Sequence, residues 1–390
     1  MREPPLRILH VSEDFLPNPG GIAAHVDGLS RAQAARGHEV ALLVGAREAD
    51  SGQGAAGVRL LGFEPVGDAP WAAALRAVRV AAQLARTAHA FDVVHWHNLT
   101  WESASLRAAD RAHLRVFTNH SSGFTRRAAV PWRRRLQLPW LLDAADLVIC
   151  PSTSRLDETR AVVQPSKRLL FVPSGVDLAA FSATAPRPGE LAARVPWRRW
   201  ILAAGRLEPV KGFDRLVEAL ALLPGSCGDV GCVFVGDGAA RRELERRVDE
   251  LGLRSRVVFV GAQPRAALPG WYAAATVAAV PSRIESGTPL VSLECLSAGV
   301  PVVATAVGGL LDVVTADVGL LVPADPAEGV AQGLALGLSR LLAEPPGEHA
   351  ARRRAAAAHA AGFGWDRIAA RTCDAYLVAL RAVQSSSRPG

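Results

Sequence analysis

The 390-residue sequence predicts an α/β protein made of two doubly wound, Rossmann-like domains. Short apolar runs, typical of buried parallel strands, alternate with stretches of helical periodicity along most of the chain. One proline-rich segment, residues 183–196, interrupts this alternation and separates two similar halves. We therefore expect two domains that face each other across a cleft, with ligands bound where the carboxyl ends of their strands meet.

The first half begins with a strand–helix–strand unit. An apolar run at 7–11 is followed by a loop that contains Gly20 and Gly21, a helix at 22–36 and a strand at 39–44. Further strands are predicted at 59–62, 92–95, 116–118, 147–150 and 169–172, and helices at 71–89, 103–113, 132–144 and 152–163.

The second half repeats the alternation. Its strands are predicted at 201–204, 232–235, 257–260, 277–280, 302–304 and 319–322, with helices at 213–222, 241–251, 266–275, 289–299, 326–342 and 350–383. We assign residues 1–185 to the first domain and 186–365 to the second. Residues 366–390 are expected to form a C-terminal helix and tail that cross back to the first domain.

The composition excludes several classes of protein. The chain is 49% hydrophobic and 21% charged, as expected for a globular protein with an ample core. No apolar run reaches the roughly 18 residues of a membrane span, and no basic-then-apolar leader opens the chain. Five scattered cysteines fit a reducing cytoplasm. The net charge of +7 comes almost entirely from arginine and is weak support for a nucleic-acid partner, so we predict none.

A cluster of tryptophan and arginine at Trp132–Arg135, with Trp140 nearby, has two interpretations. It could contact an anionic membrane surface from the cytoplasmic side. The alternative is a helix face whose arginines are solvated, which we favour because one short cluster gives only marginal membrane binding.

Arg206 and Lys211 lie in a loop between a predicted strand and a predicted helix. Two cations beside a helix N-terminus could hold a diphosphate without a metal ion. The alternative is a solvated basic loop. Gly20 and Gly21 form a permissive loop that could approach a phosphate or sugar, or a plain turn.

Glu285 and Glu294 flank the start of the short helix near Pro289. They could act as a general acid and base, or serve only as ordinary helix-cap and surface carboxylates. No Asp-X-Asp motif occurs in the chain, so a carboxylate clamp for a divalent cation is not indicated.

His95, His97 and His120 follow predicted strand ends. We interpret His95 and His97 as pointing to opposite sides of an extended strand, with no third ligand in view, and predict no metal site. His120 is interpreted as a hydrogen-bond donor to a sugar.

Four stretches together resemble retaining glycosyltransferases of family 4 (glycosyl transferases group 1), which have the GT-B fold. They are RILHVSEDFLPNPGGIAAHVDGLSRAQAARGHEV (7–40), VPSGVDLAAF (172–181), GRLEPVKGFDRLVEAL (205–220) and PSRIESGTPLVSLECLSAGVPVVAT (281–305). The resemblance covers nearly the whole chain. It implies transfer of a sugar, with retention of the anomeric configuration, from a nucleotide-sugar donor to an unidentified acceptor (small molecule, lipid or glycan) bound mainly by the N-terminal domain. Because the Asp-X-Asp motif is absent and Arg206 and Lys211 could hold the diphosphate, we expect no metal cofactor.

The resemblance also implies roles for individual residues. The catalytic set would be His120, Glu285, Arg206 and Lys211. The donor-binding set would be Gly20, Gly21, Arg206, Lys211, Gly287, Thr288, Leu290 and Glu294. The sequence departs from the family pattern at one place, because eight residues instead of the usual seven separate Glu285 from Glu294. Alternatives are a GT-B nucleotide-sugar epimerase, a sugar phosphorylase, or a sugar-nucleotide-binding protein with impaired catalysis.

Overall fold

The computed structural model describes residues 4–12, 20–44, 57–62, 72–97, 105–106, 109, 114–120, 142–189 and 191–386. They form two compact units, of which the first combines Met1–Gly175 with Trp365–Gly390 and the second is Val176–Gly364. Each unit is built on a parallel β-sheet, so the predicted class of two doubly wound α/β domains is confirmed. The proline-rich segment 183–196 lies within the second unit.

Within the described residues, the first unit contains a seven-stranded sheet with the order β3-β2-β1-β4-β5-β6-β7. Its strands are β1 (Arg7–Ser12), β2 (Glu39–Val44), β3 (Arg59–Gly62), β4 (Val93–His97), β5 (Leu114–Thr118), β6 (Leu147–Cys150) and β7 (Arg168–Phe171). The helices are α1 (Gly21–Ala35), α2 (Ala72–Thr87) and α3 (Thr153–Arg160). Strand β4 is buried along its whole length, as expected for the centre of a sheet that is covered on both faces.

The second unit, described except for residue 190, contains a six-stranded sheet with the order β10-β9-β8-β11-β12-β13. Its strands are β8 (Arg199–Ala204), β9 (Val230–Val235), β10 (Val257–Gly261), β11 (Val277–Val280), β12 (Val302–Thr305) and β13 (Gly319–Val322). Its helices are α4 (Leu191–Arg194), α5 (Phe213–Ala221), α6 (Arg241–Glu250), α7 (Leu268–Ala274), α8 (Leu290–Ser297), α9 (Leu310–Val313), α10 (Val330–Leu342) and α11 (Pro346–Ala360).

The last helix, α12 (Trp365–Ser386), belongs to the first unit and packs against α1. The predicted helix at 350–383 is therefore two helices, separated by Ala361–Gly364. The Trp365 ring occupies the space that a Cβ would take at Gly28 and Gly175, at 2.2 and 2.4 Å. These two glycines let the tryptophan lie against the backbone of the first unit.

Both sheets reverse their strand order at an equivalent point. In the first unit, the strands run outward in chain order from β1 to β3 on one side and from β4 to β7 on the other. In the second unit, they run outward from β8 to β10 on one side and from β11 to β13 on the other. In open α/β sheets, ligands bind at this switch point, beyond the carboxyl ends of the strands. The switch points are the junctions β1/β4 and β8/β11, which is where polar residues gather in each unit.

Parts of the sequence prediction fall outside the described residues. They include most of the predicted helices at 103–113 and 132–144 and the Trp132–Arg135 cluster, whose membrane contact stays a prediction. Among the residues that the structure does describe, none of the helices combines the length and the apolar character needed to cross a membrane.

Candidate functional site

Two loops at the switch point of the second unit bring Lys211 and Glu285 together. The first loop follows β8, the second follows β11, and these strands are hydrogen-bonded neighbours. The Lys211 Nζ donates to Glu285 Oε1 over 2.6 Å. The two side chains are 28% and 10% exposed, so the ion pair is sheltered but can still be reached from solvent.

The Glu285 carboxylate is held by a second donor. Ser282 Oγ donates to the same Oε1 atom over 2.6 Å. Thr305, at the end of β12, donates from Oγ1 to the Ser282 carbonyl over 2.5 Å and fixes the loop that carries both residues. Hydrogen bonds to an ionised carboxylate are among the stronger ones in proteins, so this arrangement orients Glu285.

Glycines set the separation of the loops. Gly212 has a φ of +67°, and a Cβ there would lie 2.1 Å from the Pro281 carbonyl oxygen. Gly308 has a φ of +50°, and a Cβ there would lie 1.7 Å from the Glu285 carbonyl oxygen. A side chain at either position would force the backbones apart, so glycine is required for Lys211 and Glu285 to meet.

Arg206 lies on the same loop as Lys211 but has a different partner. Its Nη1 donates to Glu208 Oε1 over 2.6 Å, and its side chain is 63% exposed. The structure therefore brings Lys211 and Glu285 together and leaves the Arg206 guanidinium at the surface of the loop.

An ion pair that sequence reasoning missed links the two loops. Arg283 Nη1 donates to Asp214 Oδ1 over 2.7 Å and to the Pro209 carbonyl over 2.8 Å. Burial alone would raise the pKa of Asp214, but hydrogen bonds from Arg283 and from backbone amides lower it below its ordinary value. No sequence signal pairs these residues, because their meeting depends on the β8/β11 strand order.

Glu294 lies on α8 in a different environment. Its side chain is 6% exposed, and Arg265 Nη2 lies 3.7 Å from its Oε1. Burial raises the pKa of Glu294, while the Arg265 charge and a hydrogen bond from Tyr272 act in the opposite direction. On the same helix the Ser292 hydroxyl is buried and has no hydrogen-bond partner among the described residues.

The residues that precede α8 form the loop from which the helix begins. Pro289 is the N-cap, Leu290 is the first helical residue, and no side chain within the described part of the chain caps this end. Thr288 is 7% exposed, and the Gly287 carbonyl lies against Gly309, where a Cβ would approach it to 2.1 Å. The additional residue between Glu285 and Glu294 therefore lies in a braced loop and leaves the helix regular.

The switch point of the first unit carries histidines. His10 on β1 faces His95 on β4 in the parallel register, and both are buried. His95 and His97 lie on the same side of β4 with ring centroids 4.1 Å apart, so the prediction that they point to opposite sides is wrong. Successive strand residues alternate between faces, and residues two apart share one. Both also lie inside the strand instead of beyond its end.

Hydrogen bonds connect these rings to their surroundings. His10 Nδ1 lies 2.9 Å from His97 Nε2, and His10 Nε2 lies 2.7 Å from Gln33 Oε1. His95 lies between two hydroxyls, with Nδ1 2.6 Å from the Tyr376 OH and Nε2 2.6 Å from Thr118 Oγ1. Burial lowers the pKa of His10 to about 4, despite the hydrogen bond with Gln33, so the ring is neutral at pH 7.

His120 follows β5 and joins the same group of rings. Its centroid lies 4.9 Å from that of His25 on α1 and 5.7 Å from that of His97. Burial, with a smaller effect of the Arg155 charge, lowers the pKa of His120 to about 4. Among the described residues, two sets of three histidines could hold a metal ion, His10/His95/His97 and His25/His97/His120.

Gly20 and Gly21 lie at the start of α1. Gly20 is the N-cap, in an extended conformation, and Gly21 is the first helical residue. Among the described residues, no atom lies within 4 Å of where a Cβ would stand at either position.

Sequence reasoning missed several members of both groups. In the first unit they are His10, His25, Gln33 and Tyr376, and in the second Ser282, Tyr272, Arg265 and the Asp214–Arg283 pair. A signal existed for His10, because β1 and β4 adjoin in a doubly wound sheet and this places His10 beside His95.

Comparison with protein families gives two matches that together cover most of the chain. Residues 196–359 match the model described as "Glycosyl transferases group 1". Residues 19–180 match the model described as "Glycosyltransferase Family 4". The first match includes the Lys211–Glu285 pair, and the second includes His25, His95, His97 and His120.

Several individual proteins are similar to this chain over nearly the full length of both chains. D-inositol 3-phosphate glycosyltransferase from Xylanimonas cellulosilytica is 35% identical, over 97% of this chain and 98% of that protein. Sucrose-phosphate synthase from Thermosynechococcus elongatus superimposes with a TM-score of 0.78 at 24% identity, over 98% of this chain and 100% of that one. An Anabaena protein solved with UDP and glucose superimposes with a TM-score of 0.74 at 22% identity, over 95% and 99% of the two chains.

Proposed function

The chain belongs to the family 4 glycosyltransferases, and on that premise we propose that it is a retaining hexosyltransferase that uses a nucleotide-sugar donor and needs no metal ion at the donor diphosphate. The observation that carries the proposal is the Lys211–Glu285 pair at the β8/β11 switch point, 2.6 Å apart. It places one cation and one carboxylate where a doubly wound sheet binds nucleotides.

Lys211 would bind the donor diphosphate together with Arg206. An ammonium group has three donors, and within the described residues Glu285 takes one of them. The exposed Arg206 guanidinium lies on the same loop, and α8 begins beyond the neighbouring strand with the positive end of its dipole. These groups would stabilise the charge that develops on the leaving nucleotide.

The remaining second-unit residues would bind the rest of the donor. Glu294 would accept hydrogen bonds from the ribose hydroxyls, and Glu285 would lie near the anomeric carbon. The loop at Gly287 and Thr288 and the helix start at Leu290 would line the diphosphate. Transfer would proceed on one face of the sugar through an oxocarbenium-like state, with the leaving phosphate taking the acceptor proton.

The first unit would bind the acceptor and contribute to the donor site. Among the described residues, no atom fills the space beside Gly20 and Gly21 at the start of α1, where a ligand would bind. His120 Nε2 is buried without a hydrogen-bond partner in the described part of the chain, and would bond to a hydroxyl of the donor sugar. All five cysteines are free and buried, which supports a cytoplasmic location for the enzyme.

The acceptor class is suggested by the relatives, several of which are D-inositol 3-phosphate glycosyltransferases at 33–36% identity. We propose D-inositol 3-phosphate as the first acceptor to test, before lipids and glycans.

The experiment incubates the purified chain with UDP- or GDP-sugars, with and without D-inositol 3-phosphate, in the presence of EDTA. We expect acceptor-dependent release of nucleoside diphosphate, and a product whose anomeric configuration, read by NMR, equals that of the donor. An inverted product would contradict retention, and loss of activity in EDTA would contradict metal independence. Epimerisation of the donor in the absence of acceptor would indicate an epimerase. Sugar release that depends on inorganic phosphate would indicate a phosphorylase. Donor binding without turnover would indicate an enzyme with impaired catalysis.

A further inference from the structure

We propose that His25, His97 and His120 of the first unit form a binding site for a divalent transition-metal ion, with zinc as the best match. Each residue offers one ring nitrogen, and the three nitrogens lie within 4.8 Å of one another. The ring centroids are 4.9, 5.6 and 5.7 Å apart. Three imidazoles that share one zinc at about 2.0–2.1 Å in a tetrahedral arrangement have centroids about 5 Å apart. Small movements would therefore complete the site.

A chain of hydrogen bonds determines which nitrogen of His97 is free. The Gln33 amide donates from Nε2 toward Cys373 Sγ, so its Oε1 accepts from His10 Nε2. His10 Nδ1 must then accept from His97 Nε2, 2.9 Å away. This leaves a lone pair on His97 Nδ1, which is buried and has no partner among the described residues. A metal-binding histidine normally donates its other N–H in this manner.

Each of the other two histidines also has one ring nitrogen that could bind the ion. His25 Nδ1 lies 2.9 Å from Ser174 Oγ, which orients the ring and leaves Nε2 for a metal ion. His120 Nε2 is buried and, within the described residues, also lacks a partner. Two buried nitrogens without hydrogen bonds are costly unless something binds them.

The neighbouring set His10/His95/His97 does not have this property. Both nitrogens of His95 lie 2.6 Å from hydroxyl groups, and those of His10 contact His97 and Gln33. The hydrogen bonds of His10 and His95 are therefore satisfied, and His10 also orients His97 through the contact between their rings. Imidazole ligands suit zinc, copper and nickel, and three of them leave a fourth position open.

Among the described residues, the one cationic side chain that lowers the pKa of His120 is paired with a carboxylate. This side chain is Arg155. Its Nη1 donates to Glu158 Oε2 over 2.5 Å, which pairs the charge. If His120 binds the donor sugar as proposed above, metal and sugar would compete for its Nε2. That consequence rests on the proposed function, whereas metal binding itself does not.

The test uses the untagged full chain, stripped of metal and titrated with Co²⁺, followed by displacement with Zn²⁺. We expect one equivalent of Co²⁺ to give the visible absorption of a tetrahedral site, and Zn²⁺ to abolish it. His120→Asn should weaken binding at least about 100-fold, because it removes a ligand. Gln33→Met should weaken it about 10-fold, the lower end of the 10–100-fold contributed by outer partners, because Gln33 acts on His97 through His10.

His95→Gln is the matched control, because it removes a histidine of the same cluster whose nitrogens are already bonded. It should retain Co²⁺ binding within about threefold of the unchanged chain. Absence of the absorption in the unchanged chain would overturn the proposal, as would full affinity in His120→Asn, or equal losses in His95→Gln and His120→Asn. If His120→Asn is unfolded by circular dichroism, His25→Gln replaces it with the same expected loss. Since the readout is metal binding, its failure is separate from any failure of sugar transfer.

Discussion

The two units use the same strand order to present different chemistry at their switch points. In the second unit, Lys211 and Glu285 lie in loops beyond β8 and β11, and they remain partly exposed. In the first unit, His10, His95 and His97 lie inside β1 and β4, where each is at most 2% exposed. One switch point therefore holds an ion pair, and the other holds neutral rings.

The difference shows that a residue's position, inside a strand or in the loop beyond its end, determines whether its side chain stays charged. A charged group can stay charged in a loop at the edge of the sheet, because water still reaches it. Inside the sheet, burial disfavours the charged form and lowers the pKa values of the histidines. The second unit is thus suited to stabilise charge, and the first to offer neutral nitrogen atoms to a ligand.

The comparison is tested most strongly by Lys211→Ala. If this cation binds the diphosphate of the leaving group, its loss should lower kcat/KM about 10²–10³-fold, as for other groups that stabilise developing charge. The control is Arg246→Ala, which removes an exposed cation on α6 whose partners are Glu243 and Glu250. The rate of nucleotide release is measured for both variants. Equal activity in the two would place the charge-stabilising group elsewhere.

The second prediction concerns the glycine that lets the charged loops meet. Gly212 and Gly252 both have a φ of +67°, but only Gly212 would bring a Cβ against backbone, 2.1 Å from the Pro281 oxygen. Gly252→Ala should cost about 1–2 kcal/mol, the ordinary strain of this conformation. Gly212→Ala should cost about 2 kcal/mol more and lower activity, because the loops must separate. Denaturant unfolding compares the pair, and equal costs would show that the loops are not closely packed.

The two tyrosines of the chain give a matched pair, one in each unit. Tyr272 bonds to the Glu294 carboxylate, and the Tyr376 hydroxyl lies 2.6 Å from His95 Nδ1. Tyr272→Phe should lower the free energy of unfolding by about 1.5–3 kcal/mol, and Tyr376→Phe by about 0.5–1.5 kcal/mol, because hydrogen bonds to charged groups contribute more. A larger loss in Tyr376→Phe would contradict the contrast between a charged partner in the second unit and a neutral partner in the first.

A comparably small effect, a gain in stability, is expected from Glu294→Gln. Burial raises the pKa of Glu294 above 4.5, so the folded chain binds the proton more tightly than the unfolded chain does. Stability from this group is complete below pH 4.5 and falls as pH rises through the folded-state pKa. The variant should therefore be more stable than the unchanged chain at pH 7, by about 0.5–2 kcal/mol, with weaker donor binding.

The measurement for Glu294→Gln is the melting temperature of both chains between pH 4.5 and 8. The gain should grow with pH and vanish near pH 4.5. A gain that is independent of pH would show that packing, and not ionisation, causes it.

The sequence by itself determined the fold class and most of the strands. Apolar runs and helical periodicity are local signals, and each half carries enough of them to specify a doubly wound sheet. The helix–loop–helix break at Ala361–Gly364 was missed because alanine-rich sequence on both sides hides it. Local signals marked Lys211, Glu285 and Glu294 as candidates and the resemblance to a family assigned their roles, which remain predictions.

Only the tertiary structure decided which residues meet. Lys211 pairs with Glu285, and Arg283 with Asp214, across 74 and 69 residues of chain. His25, His97 and His120 come from a helix, a strand and a loop, and no spacing in the sequence relates them. Such contacts depend on strand order and on loops held together by glycines, which are properties of the packed sheet, whereas periodicity is a property of each segment alone.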